Sequence, residues 1–179
     1  MRAAGGHLEV LIWAREQGCP WEKEQPDEFD VNEWNIYCCA LAAEGGHLEV
    51  LKWLRFGSTT ACPWDEMTCE NAAAGGHLEV LKWVRAHGGD WDSSDVDCAA
   101  LAARGGHLKG LEWLFEQEQD TDWDREWTCA MAAEGGQLEA LKWLRANGCP
   151  WDARTVHQAS EARHDDVLQW ALANGCPSS

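Results

Sequence analysis

Basic residues are scarce in this chain: 14 lysines and arginines face 31 aspartates and glutamates, a formal charge of −17. A field of that sign repels phosphate backbones and anionic membrane surfaces, so neither a nucleic acid nor a membrane is expected as a partner. Long hydrophobic runs are also missing. No stretch approaches the roughly 18 apolar residues that a membrane span requires, and the opening Met1-Arg2-Ala3-Ala4-Gly5-Gly6 lacks the apolar segment of a signal peptide. The expectation is a soluble, intracellular protein, cytoplasmic with the nucleus as the other compatible compartment. Tyrosine occurs once and phenylalanine three times, so the 13 tryptophans stand out. Nine cysteines are an odd number, which suits a reducing compartment in which thiols act as small apolar side chains.

What is present is repetition. Gly-Gly-His-Leu-Glu begins at Gly5, Gly45 and Gly75, Gly-Gly-His-Leu-Lys begins at Gly105, and Gly-Gly-Gln-Leu-Glu begins at Gly135. Each block continues into an apolar run that ends at Trp13, Trp53, Trp83, Trp113 or Trp143, and most then reach a second tryptophan after Pro or Asp. A decayed sixth copy runs from Arg163 to Trp170. A step of 40 residues from His7 to His47, steps of 30 from there to Gln137, and one of 27 between Gln137 and His164 define a unit that takes insertions at one phase. The approximate units are 1–21, 22–64, 65–91, 92–123, 124–151 and 152–179, read as a single domain over 1–179.

Within a unit, Leu48, Leu51 and Leu54 fall on one side of a helix with Val50 and Trp53 beside them, an apolar arc wide enough to need covering on more than one side. Asn147-Gly148, Asn174-Gly175 and His87-Gly88 mark where such helices stop. Before each Gly-Gly lies a short run of alanine and cysteine, as in Thr128-Cys129-Ala130-Met131-Ala132-Ala133, whose small side chains allow close approach of neighbouring backbones. Each unit is therefore expected to be two antiparallel helices, and the Trp53, Trp83, Trp113, Trp143 and Trp170 series is expected to form the core between repeats.

These residues resemble ankyrin repeats. The run Ala72-Ala73-Ala74-Gly75-Gly76-His77-Leu78-Glu79-Val80-Leu81-Lys82 follows that family's register, and Gly148-Cys149-Pro150-Trp151-Asp152 occupies the place of its loop motif. The resemblance covers nearly the whole chain. It implies an all-α solenoid of about six helix-turn-helix repeats, the first truncated, with β-hairpin fingers cut short because the period falls about six residues below the family's 33. The family's Pro-Leu-His is replaced around Cys69, so that histidine's hydrogen bonds do not carry over.

The same resemblance implies a non-enzymatic scaffold that binds another protein through the first-helix face and the loops; the alternative is a structural spacer that binds nothing. An acidic chain would steer towards a basic partner. Positions that vary between copies are the candidate contacts, since shared positions are explained by stacking. They are Glu44, Arg104 and Glu134 after the Ala-Ala pairs; Glu66, Met67, Ser94, Arg125, Glu126, Trp127 and Arg154 in the loops; and Asp27, Glu28, Phe29, Glu33 and Trp34 in the acidic insertion between Trp21 and Asn35. No cofactor is expected. The histidines His7, His47, His77 and His107 are read as turn caps, because equivalent residues of stacked helix pairs about 8–10 Å apart cannot share a metal whose ligands lie about 2 Å away. No nucleophile with its base stands out, and a monomer is expected.

Overall fold

A run of alanines followed by two glycines and a polar residue can end one helix and start another within three residues, and this is how the helix pairs from α2 to α9 are made. The computed structural model describes residues 6–17, 31–57, 66–89, 98–117 and 124–178. The described elements are α1 (Leu8–Glu16), α2 (Val31–Glu44), α3 (Leu48–Lys52) with a π-helical turn (Trp53–Gly57), α4 (Glu66–Ala74), α5 (Leu78–Ala86), α6 (Cys98–Gly105), α7 (Leu108–Gln117), α8 (Arg125–Glu134), α9 (Leu138–Ala146), α10 (Ala153–Glu161) and α11 (Asp165–Ala173). No strand occurs among the described residues, and none of these helices is long and apolar enough to cross a membrane. Between α9 and α10 the finger is a stub of six residues, 147–152.

The chain divides into two compact units, residues 1–93 and 94–179. In the first, α2 lies against α4; in the second, α6, α8 and α10 pack side by side. These first helices carry the small residues. Cys39, Ala42, Ala43, Cys69, Ala72, Ala73, Cys129, Ala132 and Ala133 are all buried, and their size lets helix axes approach closely. The second helices contribute leucine. Leu51, Leu81, Leu111 and Leu141, with Leu54, Val84, Leu114 and Leu144 one turn on, form the buried stripe, each contributing about 1.5–3 kcal/mol.

The tryptophans do not form that core, contrary to the sequence expectation. Trp13 is 57% exposed, and Trp53, Trp83, Trp113, Trp143 and Trp170 are half-buried. They stand two residues past the first buried leucine, at the edge of the arc, where a large ring keeps one face on its neighbours and one on solvent. Phe56 meets Trp83 edge-on at 5.9 Å, Phe115 meets Trp143 at 4.8 Å, and Trp151 meets Trp170 at 5.7 Å. Each of these pairs joins successive repeats.

The acidic insertion is also more helical than a loop reading allows. Val31–Glu44 is one helix of 14 residues, so Glu33 and Trp34 sit on an extended α2 rather than in the insertion's loop. Beyond Pro26 nothing in Val31-Asn32-Glu33-Trp34 breaks a helix, and α2 begins there.

Two glycines at each turn have two different jobs. The second takes a left-handed conformation, as at Gly46 (φ 71°), Gly106 (φ 72°) and Gly136 (φ 69°), while the next amide closes the turn by donating to a carbonyl five residues back: His47 to Ala42, Gln137 to Ala132. A Cβ on Gly136 would lie 2.6 Å from the His164 ring, and one on Gly46 would lie 2.4 Å from the His77 ring. The first glycine faces the other way along the stack. At Gly135, whose φ of −77° any residue could adopt, a Cβ would lie 2.0 Å from the backbone oxygen of Arg104, and at Gly75 one would lie 2.7 Å from that of Glu44. The Gly135–Gly136 turn is thus wedged between the backbone of the preceding pair and the ring of the following one.

Glycine-to-alanine changes should therefore differ in sign by position. Gly135→Ala is expected to lower stability by roughly 1–3 kcal/mol through overpacking. Gly110→Ala, inside α7 where a Cβ would meet only the His107 Cβ at 4.0 Å, is expected to raise stability by about 0.4–1 kcal/mol. Urea titration of both variants checks the pair.

Candidate functional site

The histidine series occupies the N-terminal boundary of the second helices, but those side chains do not cap them. His47, His77 and His164 make no side-chain capping hydrogen bond at the start of the second helix. They reach backwards instead. The His77 Nε2 N–H donates to the Glu44 carbonyl at 2.9 Å, and Gln137, standing in for histidine, donates through Nε2 to the carbonyl of Gly135 at 2.9 Å. His77 thus ties its turn to the preceding repeat, while Gln137 caps a carbonyl of its own turn.

Several candidate contact residues come together in the second unit. Asp124 caps α8, its Oδ1 accepting from the Trp127 amide at 2.8 Å. Arg154, one repeat further on, donates to both oxygens of that carboxylate at 3.0 and 3.3 Å. The same guanidinium donates through Nε to Asp152 at 2.7 Å and lies 5.8 Å from the centre of the Trp127 ring. The hydrogen bonds from Arg154 hold the Asp124 carboxyl below the usual carboxylate range, outweighing partial burial, and the two aspartates in turn keep Arg154 charged. Arg104 and Glu134, which occupy equivalent positions in adjacent repeats, pair at 3.0 Å. Arg125 lies 6.0 Å from the centre of the Phe115 ring, and Glu126 is half-buried beside Trp127.

In the first unit, Glu44 is exposed at the end of α2 and Met67 is half-buried in α4. Glu66 opens α4, and Glu33 and Trp34 lie on α2; the side chains of these three, and all of Asp27, Glu28, Phe29 and Ser94, lie outside the described residues. The seven described cysteines are free thiols, and all but Cys38 are buried. Burial pushes the Cys129 thiol up to about 12, the opposite of what a nucleophile requires. Among the described residues no three histidines, cysteines or carboxylates gather as a metal site.

No family model matches the chain, and no curated protein matches it. Among solved structures, the crystal structure of the human ASB11 ankyrin repeat domain superposes with a TM-score of 0.64 over 97% of this chain and 81% of that one, at 17% identity. The fold is that of an ankyrin repeat domain.

Asp124, the partner of Arg154, is not among the candidate contacts that vary between copies. The signal was available: Asp124 and Arg154 carry opposite charge and stand 30 residues apart, one repeat length, at the starts of successive first helices. Phe56 and His87 are likewise outside the candidate set; His87 stacks on Trp83 with ring centres 4.5 Å apart.

Because Asp124 is more acidic folded than unfolded, its contribution is fully present above the unfolded pKa, near 3.9, and is lost as pH falls through the depressed folded value. Asp124→Asn is expected to weaken the chain near neutral pH and to flatten the dependence of its stability on pH below about 4. Thermal melts of both proteins between neutral and acid pH measure this. A slope unchanged by the substitution would show that Arg154 does not hold the carboxylate.

Proposed function

We propose that the chain is a non-enzymatic protein-recognition scaffold, monomeric and held in a reducing compartment, which grips a basic region of another protein through its first-helix ends, stub fingers and acidic insertion. One observation carries this reading. The residue three before each turn-closing histidine or glutamine is Glu44, Ala74, Arg104, Glu134 or Glu161; all five are exposed or half-exposed, and the first four directly follow an alanine that stacking buries. The constant positions are consumed by the fold, and the varied ones are left facing outwards. An excess of 17 negative charges favours a partner rich in lysine and arginine and speeds its encounter.

A second reading, a spacer that binds nothing, draws on a specific observation too. Arg104 with Glu134, and Arg154 with Asp124, satisfy one another across adjacent repeats, so part of the variation serves internal pairing. Exposed pairs of this kind contribute about 0–1 kcal/mol each, which leaves them available for exchange with an incoming partner.

Affinity capture with the immobilised chain, beside a variant lacking residues 23–32, separates the readings. The scaffold reading expects a specific, basic partner whose retention falls as salt rises from about 0.1 M to about 1 M, shortening the screening length from about 10 Å to about 3 Å, and whose binding drops on deletion. A full-length chain that retains no partner would favour the spacer. Retention indifferent to salt would rule out the electrostatic grip.

A further inference from the structure

Phe56 is the most exposed large apolar side chain among the described residues, at 65%. Its place, nine residues after the turn-closing histidine or glutamine, is taken by Ala86, Glu116 and Ala146 in other repeats. Phe56 lies in the π-helical turn Trp53–Gly57, whose wider winding rotates it back towards the direction that Phe115, one position earlier in its own repeat, takes in an α-helix. Both rings then make the same contact with the tryptophan of the next repeat. Phe56 meets Trp83 at 5.9 Å and 85°, and Phe115 meets Trp143 at 4.8 Å and 84°. Single π-helical turns of this kind are frequent at functional sites.

The two pairs differ in what lies over the phenylalanine. In the second unit the chain's own guanidinium groups stand over the rings: Arg125 is 6.0 Å from the centre of Phe115, Arg145 is 4.2 Å from that of Trp151, and Arg154 is 5.8 Å from that of Trp127. Among the described residues no arginine or lysine stands over Phe56 in this way. The sequence accounts for the difference. Arg125 is the first residue of α8, whereas the first residue of α4 is Glu66, in a run Trp64-Asp65-Glu66 that takes the place of Trp123-Asp124-Arg125. The neighbours of Phe56 hold its ring from the side. His87 lies 5.8 Å away at 61°, and is itself fixed by stacking on Trp83 and by its Nδ1 N–H donating to the Trp83 carbonyl at 2.8 Å. Glu79, one turn before Trp83 on the same side of α5, is exposed and reaches Lys82 only at 3.7 Å. An open ring face thus lies beside a row that carries a carboxylate, on a chain with a formal charge of −17.

We propose that Phe56, held against Trp83 and His87 on the second-helix side of the first unit, is a docking point for an arginine side chain of a partner's basic segment. The partner supplies there the guanidinium that Arg125, Arg145 and Arg154 supply from within the second unit. The negative face of the ring attracts the cation, and the surrounding acidic field brings it in. This rests on the basic-partner reading above and extends it to a surface outside the first-helix ends and fingers.

The probe is a blocked hexa-arginine peptide added to the full chain at about 0.1 M salt, where surface charges still act over about 10 Å. With phenylalanine isotope-labelled, the three phenylalanine rings are followed by NMR, and Phe56→Leu assigns the Phe56 signal. The peptide is expected to shift that signal and to leave the signal of Phe115, already under Arg125, in place. Phe56→Leu keeps the charge and an apolar side chain but removes the ring face, and should weaken binding about two- to five-fold, while Phe56→Trp should preserve it. Because Phe56 is exposed, circular dichroism of both variants should match the parent. A Phe56 signal unmoved by bound peptide, or a Phe56→Leu chain that binds as tightly as the parent, overturns this inference and leaves the basic-partner reading standing. A neutral proline-rich peptide that shifts Phe56 in place of the arginine peptide also overturns it. A parent chain that does not bind the arginine peptide overturns both.

Discussion

The structure depends on backbone approaching backbone where no Cβ intervenes. At Gly135 the neighbouring repeat's carbonyl lies where a methyl group would be, and at Gly136 the next repeat's ring does. These two contacts point in opposite directions along the stack, so a single dipeptide fixes the distance to both neighbours. Everything else follows that spacing. Alanine and cysteine line the first helices because the turn has already brought their backbones close, and leucine fills what remains between the second helices.

The same spacing explains why groups that look chemical are architectural. A histidine whose Nε2 donates to a carbonyl of the preceding repeat acts as a spacer with a hydrogen bond at its tip. Thiols buried among alanines have their ionisation suppressed, with Cys129 the extreme case. Tryptophan, too large for the interior that the glycines allow, is displaced to the edge, where it bridges repeats through ring-to-ring contacts.

Much of this was readable from the residues. The repeat phase, the paired helices, the left-handed glycines closing α5, α9 and α11, and the buried small-residue helices all follow from local rules acting five or six times over. Three things were not legible. Side-chain partners across repeats depend on which way a ring turns, and the histidine motif is equally compatible with capping its own helix. The tryptophan at the edge of a helical arc is indistinguishable by period from one at its centre. Variation between copies reads as a mark of outward function, yet Arg104 and Glu134 pair with each other, a relation that shows only when positions 30 residues apart are compared. Of the candidate contacts, the structure brings Arg125, Glu126, Trp127 and Arg154 into one neighbourhood and leaves Glu44 exposed on another helix.

The wedge at the turn is open to direct measurement through the coupling between Gly136 and His164. Gly136→Ala, His164→Ala and the double variant would be unfolded in urea and their stabilities combined in a cycle. If the ring is what excludes a Cβ, removing it should relieve the alanine, giving a coupling on the order of 0.5–3 kcal/mol and leaving only the left-handed backbone cost. Strict additivity of the two single changes would mean that the turn glycine and the neighbouring ring do not hold the repeats in register, and the account would fail at its base.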